Sequence, residues 1–253
     1  MSDSTRRPGP RRGLLAWQGG KSLLAARIIE RMPDHEAYCE VFAGGAWVLF
    51  SKPESKVEII NDINRELVTL YRCVKHHLAE LCLQFKWMLV ARDEFDRFMQ
   101  TPAETLTDIQ RAARFYYLAK SAFGARIDKP TFGVAATAPS RLNLLRIEED
   151  LSEAHLRLSR VYIENRPYAQ IIERFDKPRT LFYLDPPYWG RRDYRHNLAP
   201  ADYEAMARED TFKKGLDRVV TGARTHVVAL MCAEREPLDC HRCLLVSRRL
   251  QDL

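Results

Sequence analysis

The chain has 253 residues, enough to bury a full core in one large or two smaller domains. Its 46% hydrophobic and 29% charged content is that of an ordinary globular protein, and no apolar run is long enough to span a bilayer. The net charge of +6 resides in residues 1–200, where 31 Lys/Arg face 25 Asp/Glu, a bias that suits a polyanionic partner such as nucleic acid.

Residues 1–13 are basic and rich in Pro and Gly, with no apolar segment behind them, so they are expected to be a disordered tail rather than a secretory signal. The six cysteines (39, 73, 82, 232, 240 and 243) are scattered, which fits reduced thiols in a cytoplasm better than a disulfide framework. A loop over Leu14–Lys21 leads into a helix expected over Ser22–Arg31, with Leu23, Leu24, Ile28 and Ile29 on its apolar face and Pro33 ending it. Tyr38–Phe42 reads as a strand, Ala43–Ala46 as a turn, Trp47–Phe50 as a helix and Val57–Asp62 as a second strand. From Arg65 to about Arg160 the apolar period becomes helical, carried by Leu67, Leu70, Tyr71, Val74, Leu78 and Leu81, and later by Leu144, Ile147, Leu151, Ala154 and Leu158. Within it, Phe123–Gly133 reads as a loop rich in Gly, Pro and basic residues. Val161–Ile163 returns to strand, a short helix follows around Ala169–Arg174, and Thr180–Leu184 reads as a buried strand ending at Asp185. The pattern is α/β: a parallel sheet split by a helical insertion. A helix over Tyr203–Val220, a strand over His226–Cys232 and a helix over Leu244–Leu250 are expected to close the chain.

Two places carry chemistry. Gly44 and Gly45 follow a strand, where glycine lets a backbone approach a ligand closely, but the G-x-G-x-x-G pattern of a pyrophosphate site is missing. A nucleoside without phosphates fits better, with Asp62 at the next strand end placed to accept from ribose hydroxyls. A tight turn for the glycines and a helix N-cap for Asp62 explain the same residues. The second place is Asp185-Pro186-Pro187-Tyr188, a stiff strand-end turn whose carboxylate and prolyl carbonyl suit a flat polar group.

Taken together, Trp17-x-Gly19-Gly20-Lys21, Glu40-x-Phe42-x-Gly44-Gly45, Asn61-Asp62-Ile63-Asn64, a helical insertion and Asp185-Pro186-Pro187-Tyr188 resemble the Dam-type family of DNA adenine-N6 methyltransferases, from about Leu15 to about Tyr203. Arg111–Leu118 and Ser121–Gly124 resemble its phage-encoded branch. The resemblance implies a Rossmann-like sheet and transfer of methyl from S-adenosylmethionine to adenine N6 in duplex DNA, with the base flipped out. It implies that Trp17, Gly19, Gly20, Lys21, Glu40, Phe42, Gly44, Gly45, Asp62, Ile63 and Asp185 serve the cofactor. Asp185, Pro186, Pro187 and Tyr188 would hold the target adenine. Residues 14–64 and 160–202 would be the catalytic domain and residues 65–159 the target-recognition insertion. Lys120, Phe123, Arg126 and Lys129, with Arg191 and Arg192 of the loop after Tyr188, are expected to meet DNA. No metal is called for, and a monomer or weak dimer in a prokaryotic or phage-infected cell, of restriction-modification or phage type, is expected.

Residues 203–253 resemble a different family, a small α/β group of unknown function marked by Cys-Ala-Glu (Cys232–Glu234) and Cys240-His241-Arg242. A replaced C-terminus would leave a second possibility, a DNA- and cofactor-binding protein without turnover. Zinc at Cys240 and Cys243 is disfavoured, since no second C-x-x-C pair is present.

Overall fold

The computed structural model describes residues 13–17, 19–127, 129–134, 139–186, 208 and 210–223. The chain divides into two compact units, Met1–Leu184 and Asp185–Leu253.

In the first unit four parallel strands form one sheet in the order β3-β2-β1-β4: β1 (Ala37–Glu40), β2 (Val57–Asn61), β3 (Val161–Glu164) and β4 (Thr180–Tyr183). Tyr38 lies opposite Glu58 on one side and Leu181 on the other, and Ile59 lies opposite Tyr162. All four strands were legible in the sequence. Parallel strands need crossovers. Here α2 (Trp47–Ser51) joins β1 to β2, a long helical segment joins β2 to β3, and α8 (Tyr168–Phe175) joins β3 to β4.

Side chains alternate across the sheet, as a period of two requires. Cys39, Val41 and Ile59 pack with Ile171, Ile172 and Phe175 of α8. The buried Cys39 thiol is pushed up to about 12 by loss of solvation. Tyr38, Glu40, Glu58 and Ile60 take the opposite face. There Glu58 forms a buried ion cluster near the amino end of β2. Lys52 Nζ lies 2.7 Å from its carboxylate, Arg157 pairs with both its oxygens, and Arg157 Nη2 also donates to the Leu49 carbonyl at 2.9 Å. Burial alone would raise the Glu58 pKa, but hydrogen bonds from Arg157 and Lys52 outweigh it and hold the carboxyl below its usual range.

The helical segment comprises α3 (Arg65–His76), α4 (Leu78–Phe85), α5 (Arg92–Gln100), α6 (Asp108–Ser121) and α7 (Ile147–Leu158). Asn64 caps α3 by accepting from the Glu66 and Leu67 amides, and Thr107 with Gln110 forms a capping box on α6. Of the expected apolar stripe, Leu67, Leu70, Tyr71, Val74 and Leu81 are buried and Leu78 is half-buried. The run Arg111–Leu118 is explained by packing. Arg111 pairs with Glu66, Arg114 Nε donates to the Phe98 carbonyl, and the Tyr117 hydroxyl donates to the Leu89 carbonyl at 2.7 Å. α6 therefore ties α3, α5 and the α4–α5 connection together.

Three expectations need correction. The first helix is regular only over Ala25–Glu30 (α1), because residues 22–24 form turns, and Leu23 faces solvent at 76% exposure. Strand β4 is half-buried rather than buried, since it is one of the two outer strands of the sheet among the described residues; it stops at Tyr183, leaving Leu184 exposed. Leu144 precedes α7 instead of belonging to it. In the second unit the helix α9 (Asp210–Ala223) covers part of the expected Tyr203–Val220 helix. The expected strand His226–Cys232, the helix Leu244–Leu250 and the cysteine-histidine cluster lie outside the described residues, as does the tail over residues 1–12. No helix among the described residues is long and apolar enough to cross a membrane.

Replacing Arg157 with Leu would leave Glu58 short of its main partner and the Leu49 carbonyl unpaired. Arg157→Leu should cost about 3–5 kcal/mol of stability in urea denaturation; a loss below about 1 kcal/mol would contradict the assigned role.

Candidate functional site

The described chemistry of the first unit gathers at the carboxyl ends of β1 and β2, where open α/β sheets bind ligands. After β1 the chain turns sharply through Ala43–Ala46. Gly44 has φ +49° and Ala46 φ +48°, so the turn uses the left-handed region twice. Glycine is needed at the first of these positions for a second reason: a Cβ there would lie 2.6 Å from Nε1 of Trp17.

The turn is pinned from three sides. Its Gly44 amide donates to Asp62 Oδ2 at 2.9 Å. Its Gly44 carbonyl accepts from the Tyr71 hydroxyl at 2.6 Å. The Ala43 amide donates to the Asn61 carbonyl at 2.9 Å. The other Asp62 oxygen accepts from the Asn64 amide at 2.8 Å. Asp62 is thus not the N-cap of α3, a part that belongs to Asn64. Asn61 fastens the neighbouring strand exits, donating to the carbonyls of Val41 and Arg166, each at 3.0 Å, and accepting from the Arg166 amide. Each polar residue of Asn61-Asp62-Ile63-Asn64 has its own task, and Ile63 projects into solvent at 72% exposure.

The N-terminal loop packs on this turn. Trp17 closes over Gly44 and Gly45, and Trp47 backs Gly20 and Gly45. A tight turn from the Trp17 carbonyl to the Gly20 amide passes through Gly19 at φ +77°. Lys21 is 5% exposed, with Nζ donating to the Gly19 carbonyl at 2.9 Å, which rules out a solvated helix start for it. Glu40 is equally buried; its Oε2 accepts from the Tyr38 hydroxyl and the Leu49 amide, both at 3.2 Å. It therefore steadies the first turn of α2. Phe42 packs against the α8 core and its ring lies 5.8 Å from that of Tyr168. Of the residues expected to serve the cofactor, Trp17, Gly44, Gly45 and Asp62 meet around one turn, while Lys21, Glu40 and Phe42 pack or bond beside it and Ile63 faces solvent. Asp185 follows the end of β4 by two residues and is half-buried, and Pro186 is exposed. Pro187, Tyr188, Arg191 and Arg192 lie outside the described residues.

In the helical segment, Lys120 stands in the last turn of α6. Its ammonium sits 5.2 Å over the Tyr116 ring and 3.9 Å from Asp150. Phe123 opens a short 3-10 turn (Phe123–Ala125), and Arg126 and Lys129 stand on the loop that follows it. That loop is closed by the Ala122–Phe132 bridge and the Phe123 amide to Thr131 carbonyl bond of 2.8 Å, and is anchored by Phe132 against Phe95 and Arg92. Phe123 is 65% exposed at its base, and Arg126 and Lys129 are exposed.

Sequence reasoning missed Tyr71. Its place in the helical stripe marked it as core, and only its phenolic oxygen hinted at a polar partner.

A strand-end carboxylate bonded to a glycine turn, here covered by Trp17, is an arrangement that open α/β sheets use to hold nucleosides. The donor set fits such a group: an ionised carboxyl can accept about four hydrogen bonds, and two of those to Asp62 are backbone amides. Residues 17–227 match the model of the D12 class N6 adenine-specific DNA methyltransferases, and the chain belongs to that family. It is a DNA adenine methyltransferase, and methyl transfer in this family draws on S-adenosylmethionine. The chain is 27% identical over 180 residues to the type II methyltransferase M.CviBI of Paramecium bursaria Chlorella virus NC1A, covering 69% of this chain and 68% of that protein. It is 28% identical over 203 residues to the type II methyltransferase M.MjaIII of Methanocaldococcus jannaschii, with 69% and 68% covered. With the DNA adenine methylase of Escherichia coli K12 the identity is 26% over 196 residues, with 70% and 65% covered.

Gly44 and Gly19 offer a paired test of the turn. Both have positive φ, but a Cβ on Gly19 would meet nothing within 4 Å. Gly19→Ala should cost only backbone strain, about 1–2 kcal/mol. Gly44→Ala adds the clash with Trp17 and should cost about 1–3 kcal/mol more. Equal shifts in denaturation midpoint would contradict the packing of Trp17 on this turn.

Proposed function

We propose that residues 14–64 and 160–202 hold S-adenosylmethionine and carry out the transfer, and that residues 65–159 select the site on duplex DNA. The observation that supports this most is the Asp62–Gly44 hydrogen bond, which sets a half-buried acidic acceptor beside the glycine turn that Trp17 covers. Asp62 would accept from the ribose hydroxyls. Trp17, Gly19, Gly20, Lys21, Glu40, Phe42, Gly44, Gly45 and Ile63 would shape the rest of the cofactor pocket, Glu40 by holding α2 and Lys21 by holding the N-terminal loop. When bound, S-adenosylmethionine supplies a methyl group already activated on a sulfonium.

What this chain must then supply is activation of the nucleophile, the target amine. The exocyclic amine of adenine is weak because its lone pair is delocalised into the ring. The Asp185 carboxylate and the Pro186 carbonyl would accept hydrogen bonds from its two N–H groups, drawing the lone pair out of the ring and fixing its direction, and one of those protons leaves once the methyl is bound. Pro187 would stiffen this turn and Tyr188 would stack on the base, which has to leave the duplex first. Such catalysis is positioning and electrostatics, with no covalent intermediate on the protein. Arg126 and Lys129, with Arg191 and Arg192, would meet phosphates or base edges, and Phe123 would wedge at the flipped base. Lys120, seated against Tyr116 and Asp150, would brace this surface from behind.

The test is transfer of labelled methyl from S-adenosylmethionine to unmethylated duplex DNA, with product digestion to identify N6-methyladenine. Asp185→Ala should lower kcat at least about 10²-fold while leaving the cofactor Kd nearly unchanged. Cofactor binding without any transfer by the wild type, or full activity of Asp185→Ala, would overturn this reading.

A further inference from the structure

We infer that Tyr71 is a positioning residue for the cofactor, acting through its hydrogen bond to the Gly44 carbonyl. The inference rests on the reading of the Gly44 turn as the cofactor turn. Tyr71 is 1% exposed and stands in the second turn of α3, the first helix of the helical segment. A tyrosine hydroxyl has a single proton to donate, and Tyr71 gives it to Gly44 at 2.6 Å. Burial, reinforced by the charges of Glu40 and Asp62, pushes its pKa well up, so it stays a donor at any pH the protein tolerates.

The consequence is geometric. Asp62 holds the amide of Gly44 and Tyr71 holds its carbonyl, so both peptide planes flanking this residue are fixed. A glycine at φ +49° has access to many other conformations when either restraint is removed. Loss of the Tyr71 bond would let the Gly44–Gly45 peptide rotate. A ligand lying along that backbone would then have to reorder it on binding. α3 packs on α6 and α7, Glu66 pairs with Arg111, and Lys75 donates to the Val161 carbonyl of β3, so the orientation of Tyr71 is set by the helical segment together with the sheet. The segment assigned to DNA recognition thus also helps to fix the cofactor turn.

Tyr71→Phe removes the hydroxyl and keeps the ring, so the core around it stays filled. It should weaken binding of S-adenosylmethionine and S-adenosylhomocysteine about 3- to 10-fold by calorimetry, the factor carried by one net hydrogen bond. KM for the cofactor should rise in step, with kcat at saturation and KM for DNA within about twofold. Val74→Ala, one turn along the same buried stripe, makes a cavity and lowers Tm but should leave the cofactor Kd unchanged. A single 3-fluorotyrosine at position 71 keeps ring and donor and should bind like the wild type. Weakening by Val74→Ala or by the fluorotyrosine equal to that of Tyr71→Phe would place the effect in packing and overturn the inference. An unchanged Kd in Tyr71→Phe alongside lost binding in Asp62→Ala would overturn it while leaving the cofactor turn intact. Unchanged binding in both would overturn the cofactor turn as well.

Discussion

The Gly44 amide and the Asp62 carboxylate are joined by a hydrogen bond on which the rest of the site depends. A backbone bent into the left-handed region just beyond a buried strand exposes amides that the sheet cannot satisfy, and an unmet buried donor costs about 1–3 kcal/mol. Asp62 meets one of them from the adjacent strand and, with its other oxygen, starts the turn into α3. Asn61 then locks the exits of β1 and β3 to the same point. The N-terminal loop has a surface to pack against only because this turn is fixed, with Trp17 lying where any side chain on Gly44 would otherwise be.

Three carboxylates on or beside the central strands show how position decides role. Glu58, near the amino end of β2, has two cationic partners in a buried cluster and serves to clamp α7 and α2 onto the sheet. Glu40, at the end of β1, is 2% exposed and accepts from a tyrosine hydroxyl and a helix amide, a local bracing task. Asp62 is the one of the three that bonds to two backbone amides at the sheet's carboxyl end, in reach of solvent. Its partners among the described residues are the Gly44 and Asn64 amides, and that leaves lone pairs for a neutral, hydroxyl-bearing ligand.

Much of this was legible in the chain itself. The four strands stood out because each is a short β-branched or aromatic run bounded by turn residues, and the family resemblance lay in residues at strand ends. What could not be read were interactions between segments distant in sequence. The pairing of Arg157 with Glu58 spans 99 residues, and nothing in either local pattern marks the charge as buried. Tyr71 looks like every other member of its helical stripe until the fold brings Gly44 to it. Lys120 reads in sequence as a cation facing DNA, and nothing in its local pattern shows that the last turn of α6 sets its ammonium over Tyr116 and near Asp150. The half-buried state of β4 was hidden for a similar reason: a hydrophobic run cannot report whether a strand is central or outermost.

The most direct measurement is a crystal structure of the protein with S-adenosylhomocysteine. The account predicts both ribose hydroxyls within about 3 Å of the Asp62 carboxylate, with the nucleoside lying along Gly44 and Gly45 and the Tyr71 bond to Gly44 retained. A nucleoside bound elsewhere, or ribose hydroxyls that find partners other than Asp62, would contradict it.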